Sequence, residues 1–159
     1  MMQRKYVTVA GLALLTLAFD QLSKWWLLAQ VGMAGHAPIV LTPWCAIVMV
    51  WNHGISFGML NHGDPTPPWL LVLMAVAVSA VLVRLAVKTA LKWERIGYAL
   101  VIGGALANAL DRLRYGAVAD FFYFHRGDLG WPAFNVADAA ICLGVFTLLI
   151  MLLRHPSKP

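Results

Sequence analysis

The chain alternates between long apolar runs and short polar segments. Four of the runs are long enough, or nearly so, to cross the hydrocarbon core of a membrane, which takes roughly 20 residues of helix. They predict membrane helices over about 6–28, 69–88, 96–113 and 135–153. In the third run the purely apolar part ends at Ala107, so this helix must continue through Asn108 and Arg112 to span. The pattern predicts an all-α membrane protein, a bundle of four transmembrane helices in a single domain over 1–159.

The segment between the first two helices has a different pattern. Its apolar runs, such as Ile47–Trp51, are too short to span a membrane and are rich in strand-forming residues. We therefore expect a small β-sheet and a surface loop over about 36–62, which would form a cradle on the outer membrane surface. A turn-rich break at Gly63–Pro68 separates this segment from the second helix.

Composition supports a membrane protein and narrows its chemistry. Of the 159 residues, 61% are hydrophobic and only 12% are charged, which lies well outside the usage of soluble domains. Cys45 falls in the outer loop and Cys142 inside the fourth helix, so neither a disulfide framework nor a metal pair is indicated. The histidines form no H-E-x-x-H zinc motif. Gly54–Gly58 matches the G-x-S-x-G pattern of serine hydrolases, but that motif needs a large α/β sheet, which does not fit this chain.

Basic residues predict the orientation in the membrane. They precede the first helix, surround the connection between the second and third helices, and follow the last helix: Arg4, Lys5, Arg84, Lys88, Lys92, Arg95, Arg154 and Lys158. The long first connection, about 29–68, contains no Lys or Arg. We therefore expect both termini in the cytoplasm and the two longer loops outside. Most of the net charge of +5 comes from these basic residues on the expected cytoplasmic side. This favours membrane lipids with anionic head groups as partners rather than nucleic acid.

Two polar pairs lie at helical spacing. Asp20 and Lys24 are four residues apart in the first helix and are expected to pair, either as a structural ion pair or in a direct functional role. Asn108 and Arg112 are also four apart, at the outer end of the third helix. Both offer fixed donors that suit the backbone carbonyls of an extended peptide. The alternative is that Arg112 reaches the interface and pairs with Asp111.

Two further aspartates lie beside apolar segments. Asp138 follows Asn135, a good helix cap, by three residues, so it falls in the first helical turn, and capping alone would account for it. Asp120 is flanked by Ala119 and an aromatic run, and an apolar setting raises the pKa of a carboxyl group. If the two meet, one is ionised and the other protonated, which is how an aspartic protease activates water and protonates the leaving amine. Asp120 is the expected proton holder, although spacing alone does not bring the two together.

Five short runs stand in order along the chain. They are Asp20–Lys24 (DQLSK), Asn52–Gly58 (NHGISFG), Gly103–Arg112 (GGALANALDR), Val118–Phe121 (VADF) and Phe134–Asp138 (FNVAD). Together they resemble the lipoprotein signal peptidases, also called signal peptidase II, of bacterial inner membranes, and the resemblance covers most of the chain. One departure is Ala107, where the family commonly has Gly before the Asn; it does not touch the expected chemistry.

The resemblance implies an aspartic intramembrane endopeptidase that removes the signal peptide from prolipoproteins, cutting just before a cysteine that carries a diacylglyceryl group. Carried over residue by residue, it implies Asp120 and Asp138 as the catalytic pair. The other implied positions are Asn52, Asn108, Arg112 and Asn135 along the substrate, with Asp20 and Lys24 as supporting polar residues. No metal or organic cofactor is implied, and the site is expected at the periplasmic face of the inner membrane. We expect a monomer whose partners are prolipoprotein substrates and membrane lipids.

Two other functions fit parts of the pattern. Five ionisable residues would serve as a proton relay in a small transporter or an accessory membrane subunit: Asp20, Lys24, Arg112, Asp120 and Asp138. That function predicts polar residues spread through the membrane depth, whereas here nearly all of them crowd toward the outer face. A phospholipid head-group transferase is suggested only by the run Asp111–Asp120, and that class needs a fuller array of aspartates for metal ions. Proton flux and sensitivity to chelators distinguish these functions from a peptidase.

Overall fold

The computed structural model of the protein describes residues 2–30, 37–54, 67–127 and 129–154. Within these ranges, four helices are long and apolar enough to cross a membrane. They are α1 (Met2–Trp25), α2 (Pro68–Lys88), α3 (Lys92–Tyr115) and α4 (Val136–Arg154), and α1 continues into a π-helical turn at Trp26–Gln30. The predicted helical membrane protein with a small sheet is confirmed.

The helices extend beyond their apolar runs into polar residues. α3 begins at Lys92, four residues before the predicted start at Ile96, and α1 begins at Met2 rather than Tyr6. Charged side chains at the end of a membrane helix stay within reach of water and head groups, so the helix does not have to end with the apolar run. Glu94 also favours the longer α3, because it lies in the first turn, where the helix dipole attracts an acidic side chain.

α3 is the central helix and packs against each of the other three. Glycines allow the closest approaches. A Cβ built on Gly103 would lie 2.6 Å from the carbonyl oxygen of Ala13 in α1, and one built on Gly104 would lie 2.5 Å from the carbonyl oxygen of Ala137 in α4. A larger residue would push these helices apart. The glycines therefore hold α1 and the first turn of α4 against α3, near the point where the polar residues of the three helices meet.

A four-stranded antiparallel sheet lies at the end of the bundle where α1 and α3 finish, which we call the sheet end. Its strands, in spatial order, are β1 (Ile39–Thr42), β2 (Cys45–Asn52), β3 (Val118–Arg126) and β4 (Leu129–Gly130). β1 and β2 confirm the strands predicted within 36–62. The loop part of that prediction, including most of the Gly54–Gly58 pattern, lies outside the described residues, and so does most of the turn predicted at Gly63–Pro68.

β3 was absent from the elements predicted from the sequence, although it carries Asp120. α3 ends at Tyr115 and is capped by Gly116, whose left-handed φ of 74° suits glycine and whose N–H donates to the carbonyl oxygen of Arg112 at 3.0 Å. The chain then enters a run of valine and aromatic residues that favours a strand. β3 pairs with β2 in a register that places Val50 opposite Asp120 and Asn52 opposite Val118. The sheet thereby brings Asn52 to the carboxyl group of Asp120.

Candidate active site

Asp138 is held at the start of α4 by a reciprocal cap with Asn135. The Asp138 N–H donates to Asn135 Oδ1 at 2.9 Å, and the Asn135 N–H donates to Asp138 Oδ2 at 3.2 Å. This pattern satisfies two amide hydrogens that a helix start otherwise leaves unpaired. The predicted cap is confirmed, and it fixes the direction of the Asp138 carboxylate, which is largely buried.

The amide of Asn135 also reaches the second aspartate. Asn135 Nδ2 donates to Asp120 Oδ1 at 2.6 Å, while Asn52 Nδ2 donates to Asp120 Oδ2 at 3.1 Å. Asn135 therefore bonds to both carboxyl groups, one through its side-chain amide and the other through its backbone N–H. The fold thus brings Asp120 and Asp138 to one residue, although they belong to different elements.

Asp120 is only 2% exposed, and its surroundings favour the neutral acid. Burial away from water and, to a smaller extent, the negative charge of Asp138 raise the pKa of Asp120 to about 7, although the hydrogen bonds from Asn52 and Asn135 act in the opposite direction. A carboxyl group with this pKa exchanges a proton near neutral pH. Two neighbouring carboxyl groups, one of which holds a proton readily, provide a general acid and a general base.

Asn108 connects the two aspartates to α1. Its Nδ2 donates to Asp138 Oδ1 at 2.9 Å, and its Oδ1 accepts hydrogen bonds from Asn135 Nδ2 at 3.2 Å and from Lys24 Nζ at 3.3 Å. Asn108 is predicted to lie along the substrate, and this role stays a prediction. In this structure its side-chain amide bonds to Asp138, Asn135 and Lys24, and the bond to Asp138 orients that carboxylate.

Lys24 is the centre of a buried ionic cluster behind the carboxyl pair. Its Nζ lies 2.7 Å from Asp20 Oδ2, which confirms the predicted pairing, and 2.6 Å from Asp111 Oδ2. Asp20 Oδ1 accepts the Ala137 N–H at 2.8 Å, and Asp111 Oδ2 accepts the Ala119 N–H at 3.4 Å. Each acceptor thus holds the residue that precedes one of the paired aspartates, so the cluster fixes the backbone on both sides of the site.

Two members of this cluster were missed in the sequence, Asp111 and Gln21. Gln21 Nε2 donates to Asp111 Oδ1 at 2.7 Å. A signal was present, because Asp111 follows Asn108 by three residues and so shares its helix face. The alternative prediction that Arg112 pairs with Asp111 is wrong, because the ion-pair partner of Asp111 is Lys24.

Arg112 faces a different direction from the cluster. Its Nη2 donates to the carbonyl oxygen of Gly54 at 2.6 Å and its Nη1 to the carbonyl oxygen of Asn108 at 3.3 Å. Within the described ranges its buried Nε has no hydrogen-bond partner. Arg112 and Asn108 also line one end of a cleft of roughly 260 Å³ between helices, whose other walls are apolar: Leu71, Met74, Ala75, Val78, Val101, Ala105 and Ile141. The cleft leads from the apolar surface to the polar site.

The fold and the site define a multi-pass membrane protein with paired, buried carboxyl groups beside an apolar cleft. In the described part of the chain, no three His, Cys, Asp or Glu side chains gather as metal ligands would. The sequence model of the family described as Signal peptidase (SPase) II matches residues 12–154. The chain belongs to this family of peptidases.

Relatives and solved structures agree with the family assignment. The lipoprotein signal peptidase of Nitratidesulfovibrio vulgaris (strain DP4) is 41% identical over 160 residues, which cover 99% of this chain and 96% of the relative. That of Rhodopseudomonas palustris (strain TIE-1) is 43% identical over 142 residues, covering 86% of each chain. A solved bacterial membrane enzyme obtained by the in meso method superposes with a TM-score of 0.80 at 26% identity, covering 94% of this chain and 90% of that chain. A second such structure gives a TM-score of 0.76 at 25% identity, covering 95% and 94%.

Proposed function

We propose that this protein is an aspartic endopeptidase that removes signal peptides from prolipoproteins, cutting just before a cysteine that carries a diacylglyceryl group. The observation that carries the proposal is the attachment of both Asp120 and Asp138 to Asn135. The names of the similar proteins, which are lipoprotein signal peptidases, support the substrate class.

In the proposed reaction a water molecule between the two carboxyl groups is the nucleophile. Asp138, as the carboxylate, takes a proton from the water while the water oxygen bonds to the scissile carbonyl carbon. Asp120 gives its proton to the carbonyl oxygen, which becomes a hydroxyl group. The intermediate then collapses: Asp120 recovers that proton, the proton on Asp138 passes to the amide nitrogen, and the C–N bond breaks. The donors Asn52, Asn108 and Asn135 keep the carboxyl groups oriented.

Arg112 and the apolar cleft are proposed to position the substrate. The Nε of Arg112 is a buried donor with no partner in the described ranges, and a substrate carbonyl oxygen would satisfy it. The apolar walls of the cleft suit the lipid chains or the apolar side chains of a signal peptide. Asn52 at the end of β2 and Asn108 would line the cut site between these two parts.

The distribution of basic residues supports a proposal for the orientation in the membrane. We propose that the protein is a monomer in a bacterial inner membrane, with both termini in the cytoplasm and the sheet end at the periplasmic face. The basic residues around the α2–α3 connection support this orientation, because such residues remain on the cytoplasmic side. The supporting role of Asp20 and Lys24 belongs to the same proposal.

The test compares a diacylglyceryl-modified precursor with the same precursor lacking the lipid. Wild-type protein should cleave the modified precursor and leave the other uncut. Asp120→Asn and Asp138→Asn should each slow cleavage by about 10²- to 10⁴-fold while the protein remains folded, because each removes one partner of the proton transfer. Glu94→Gln, the same kind of change outside the site, should cleave normally. Normal turnover by Asp120→Asn would show that the pair is wrongly assigned, and equal cleavage of both precursors would refute the substrate class.

A further inference from the structure

A basic pocket lies at the end of the bundle opposite the sheet end. Its volume is roughly 350 Å³, and it is lined by Arg4, Lys5 and Thr8 of α1 and by Ala90 and Arg95 at the α2–α3 connection. Three of these five residues are cationic. None of them belongs to the proposed peptidase site, so the pocket needs a separate explanation.

Two of the three cations in the pocket, Lys5 and Arg95, donate to backbone carbonyl groups. Lys5 Nζ donates to the carbonyl oxygen of Thr89 at 2.8 Å and to that of Val87 at 3.3 Å. An ammonium group has three hydrogens, so one of them remains for a ligand. Arg95 Nη1 makes only long contacts, 3.4 Å to the carbonyl oxygen of Thr89 and 3.5 Å to that of Ala90. Carbonyl groups fix these side chains without cancelling their charge.

The acidic residue beside the pocket has another partner. The carboxylate of Glu94 accepts a hydrogen bond from the Thr89 hydroxyl group. The first turn of α1, which carries Arg4 and Lys5, has no acidic residue, and the N-terminal end of a helix adds partial positive charge. The pocket therefore combines three cationic side chains with a helix start, which suits an anionic group.

Neighbouring apolar residues indicate that this anion belongs to a lipid. Tyr6 and Val7, which directly follow two of the cations, are 46% and 68% exposed, and Trp93 is 59% exposed. Exposed apolar and tryptophan side chains beside basic ones mark the level at which hydrocarbon meets head groups. A lipid phosphate in the pocket would continue into acyl chains along this apolar surface, whereas a free phosphate ion would gain nothing from it.

We propose that the basic pocket binds the head-group phosphate of an anionic phospholipid and so links the start of α1 to the α2–α3 connection. Phosphatidylglycerol is a suitable probe, because it carries this phosphate with a net negative charge, whereas phosphatidylcholine has the phosphate but no net charge. Because the site lies apart from the carboxyl pair, lipid binding here stands whether or not the proposed cleavage reaction is correct.

The test measures the thermal unfolding midpoint of the full chain in neutral detergent, with phosphatidylglycerol or phosphatidylcholine of identical acyl chains added. Phosphatidylglycerol should raise the midpoint of the wild type by about 3 °C or more beyond the effect of phosphatidylcholine. The double variant Arg4→Gln/Arg95→Gln should lose this difference. The control Arg84→Gln/Arg154→Gln removes the same two charges from α2 and α4, outside the pocket, and should keep it.

Three outcomes would overturn the proposal. An equal loss in the control variant would mean that diffuse charge attracts the lipid. An equal shift with inorganic phosphate would mean that the pocket binds a free ion. Retention of the full shift by the pocket variant would mean that the lipid binds elsewhere. If the double variant does not fold, Arg4→Glu replaces it, because Arg4 is exposed and the added negative charge should remove the lipid effect.

Discussion

The two ends of the helix bundle hold their charged groups in opposite ways. At the sheet end Arg114 and Arg126 are exposed, but the ionisable residues at the site are buried and bonded to each other or to side-chain amides: Asp20, Lys24, Asp111, Asp120 and Asp138. At the opposite end the charged residues are partly or fully exposed, and Lys5 and Arg95 donate to backbone carbonyl groups. A buried charge that loses its partner is costly, whereas an exposed charge is solvated by water. Equivalent substitutions at the two ends should therefore have very different effects.

The largest effect is expected for Lys24→Met. The substitution leaves the carboxylates of Asp20 and Asp111 buried without their shared cation. We expect the free energy of unfolding to fall by about 3–5 kcal/mol. Cleavage should slow by about 10²-fold or more, because Ala137 and Ala119 are no longer held beside the paired aspartates. Thermal unfolding and cleavage of a lipid-modified precursor measure the two effects.

The matched control is Lys88→Met, which makes the same change on an exposed residue at the opposite end. It should alter stability by less than about 1 kcal/mol and leave cleavage unchanged. The double variant Lys24→Met/Asp111→Asn should recover part of the stability lost by Lys24→Met, because it removes one unpaired charge. Equal stability of Lys24→Met and Lys88→Met would contradict the proposed difference between buried charges at the sheet end and exposed charges at the opposite end.

Gly104→Ala is expected to have the next largest effect. Its Cβ would lie 2.5 Å from the carbonyl oxygen of Ala137, a backbone atom that cannot move without moving the first turn of α4. We expect a loss of about 1–3 kcal/mol in stability and about 10- to 100-fold in cleavage, since Asp138 shifts with that turn. Gly11→Ala is the control: its Cβ would meet nothing within 4 Å, and alanine favours a helix. That variant should be active and at least as stable as the wild type.

The parts of the molecule that the sequence predicts are those that depend on neighbouring residues. The four helices follow from continuous apolar runs, and the Asn135–Asp138 cap follows from a spacing of three residues, so both depend on local signals. The strand that carries Asp120 was missed although its aromatic run favours a strand, and its pairing with β2, which brings Asn52 to Asp120 over a separation of 68 residues, has no local signal. Asp111 shares a helix face with Asn108, but its ion pair was not predictable because Lys24 approaches it from another helix. The resemblance named the paired aspartates, but only the packing of α1, α3 and α4 supplies the cluster behind them.

The pH dependence of cleavage should report the buried environment of the sheet end. Burial raises the pKa of Asp120 to about 7 from the ordinary value of 3.8. If Asp120 must hold a proton, cleavage should fall as the pH rises above about 7, by roughly tenfold per pH unit. The same shift affects stability: the contribution of Asp120 is complete below about pH 4 and is lost as the pH rises toward about 7, and Asp120→Asn should remove this part of the dependence.

Asn52→Ala tests this prediction more sharply, because the direction in which it should change the pKa of Asp120 is known. The amide of Asn52 donates to Asp120 Oδ2 and stabilises the carboxylate, so its loss should raise the pKa of Asp120 further. The alkaline fall in cleavage should then move upward by roughly one pH unit. A merely lower rate with the same pH profile would mean that Asn52 contacts the substrate without tuning Asp120. A shift to lower pH would contradict the assignment of Asp120 as the proton holder.

The smallest effect is expected for Thr89→Val. The Thr89 hydroxyl group forms local hydrogen bonds near the start of α3, as Asn135 does at the start of α4, but it lies at the opposite end of the bundle. Thr89 Oγ1 accepts the Leu91 N–H at 3.1 Å and donates to Glu94 in the first turn of α3. Its loss should cost about 1 kcal/mol and leave cleavage unchanged, because water can replace the hydroxyl group. Asn135→Ala removes the same kind of local bonds but also the contact with Asp120, so it should abolish cleavage. Equal effects on cleavage would mean that Asn135 acts only as a helix cap.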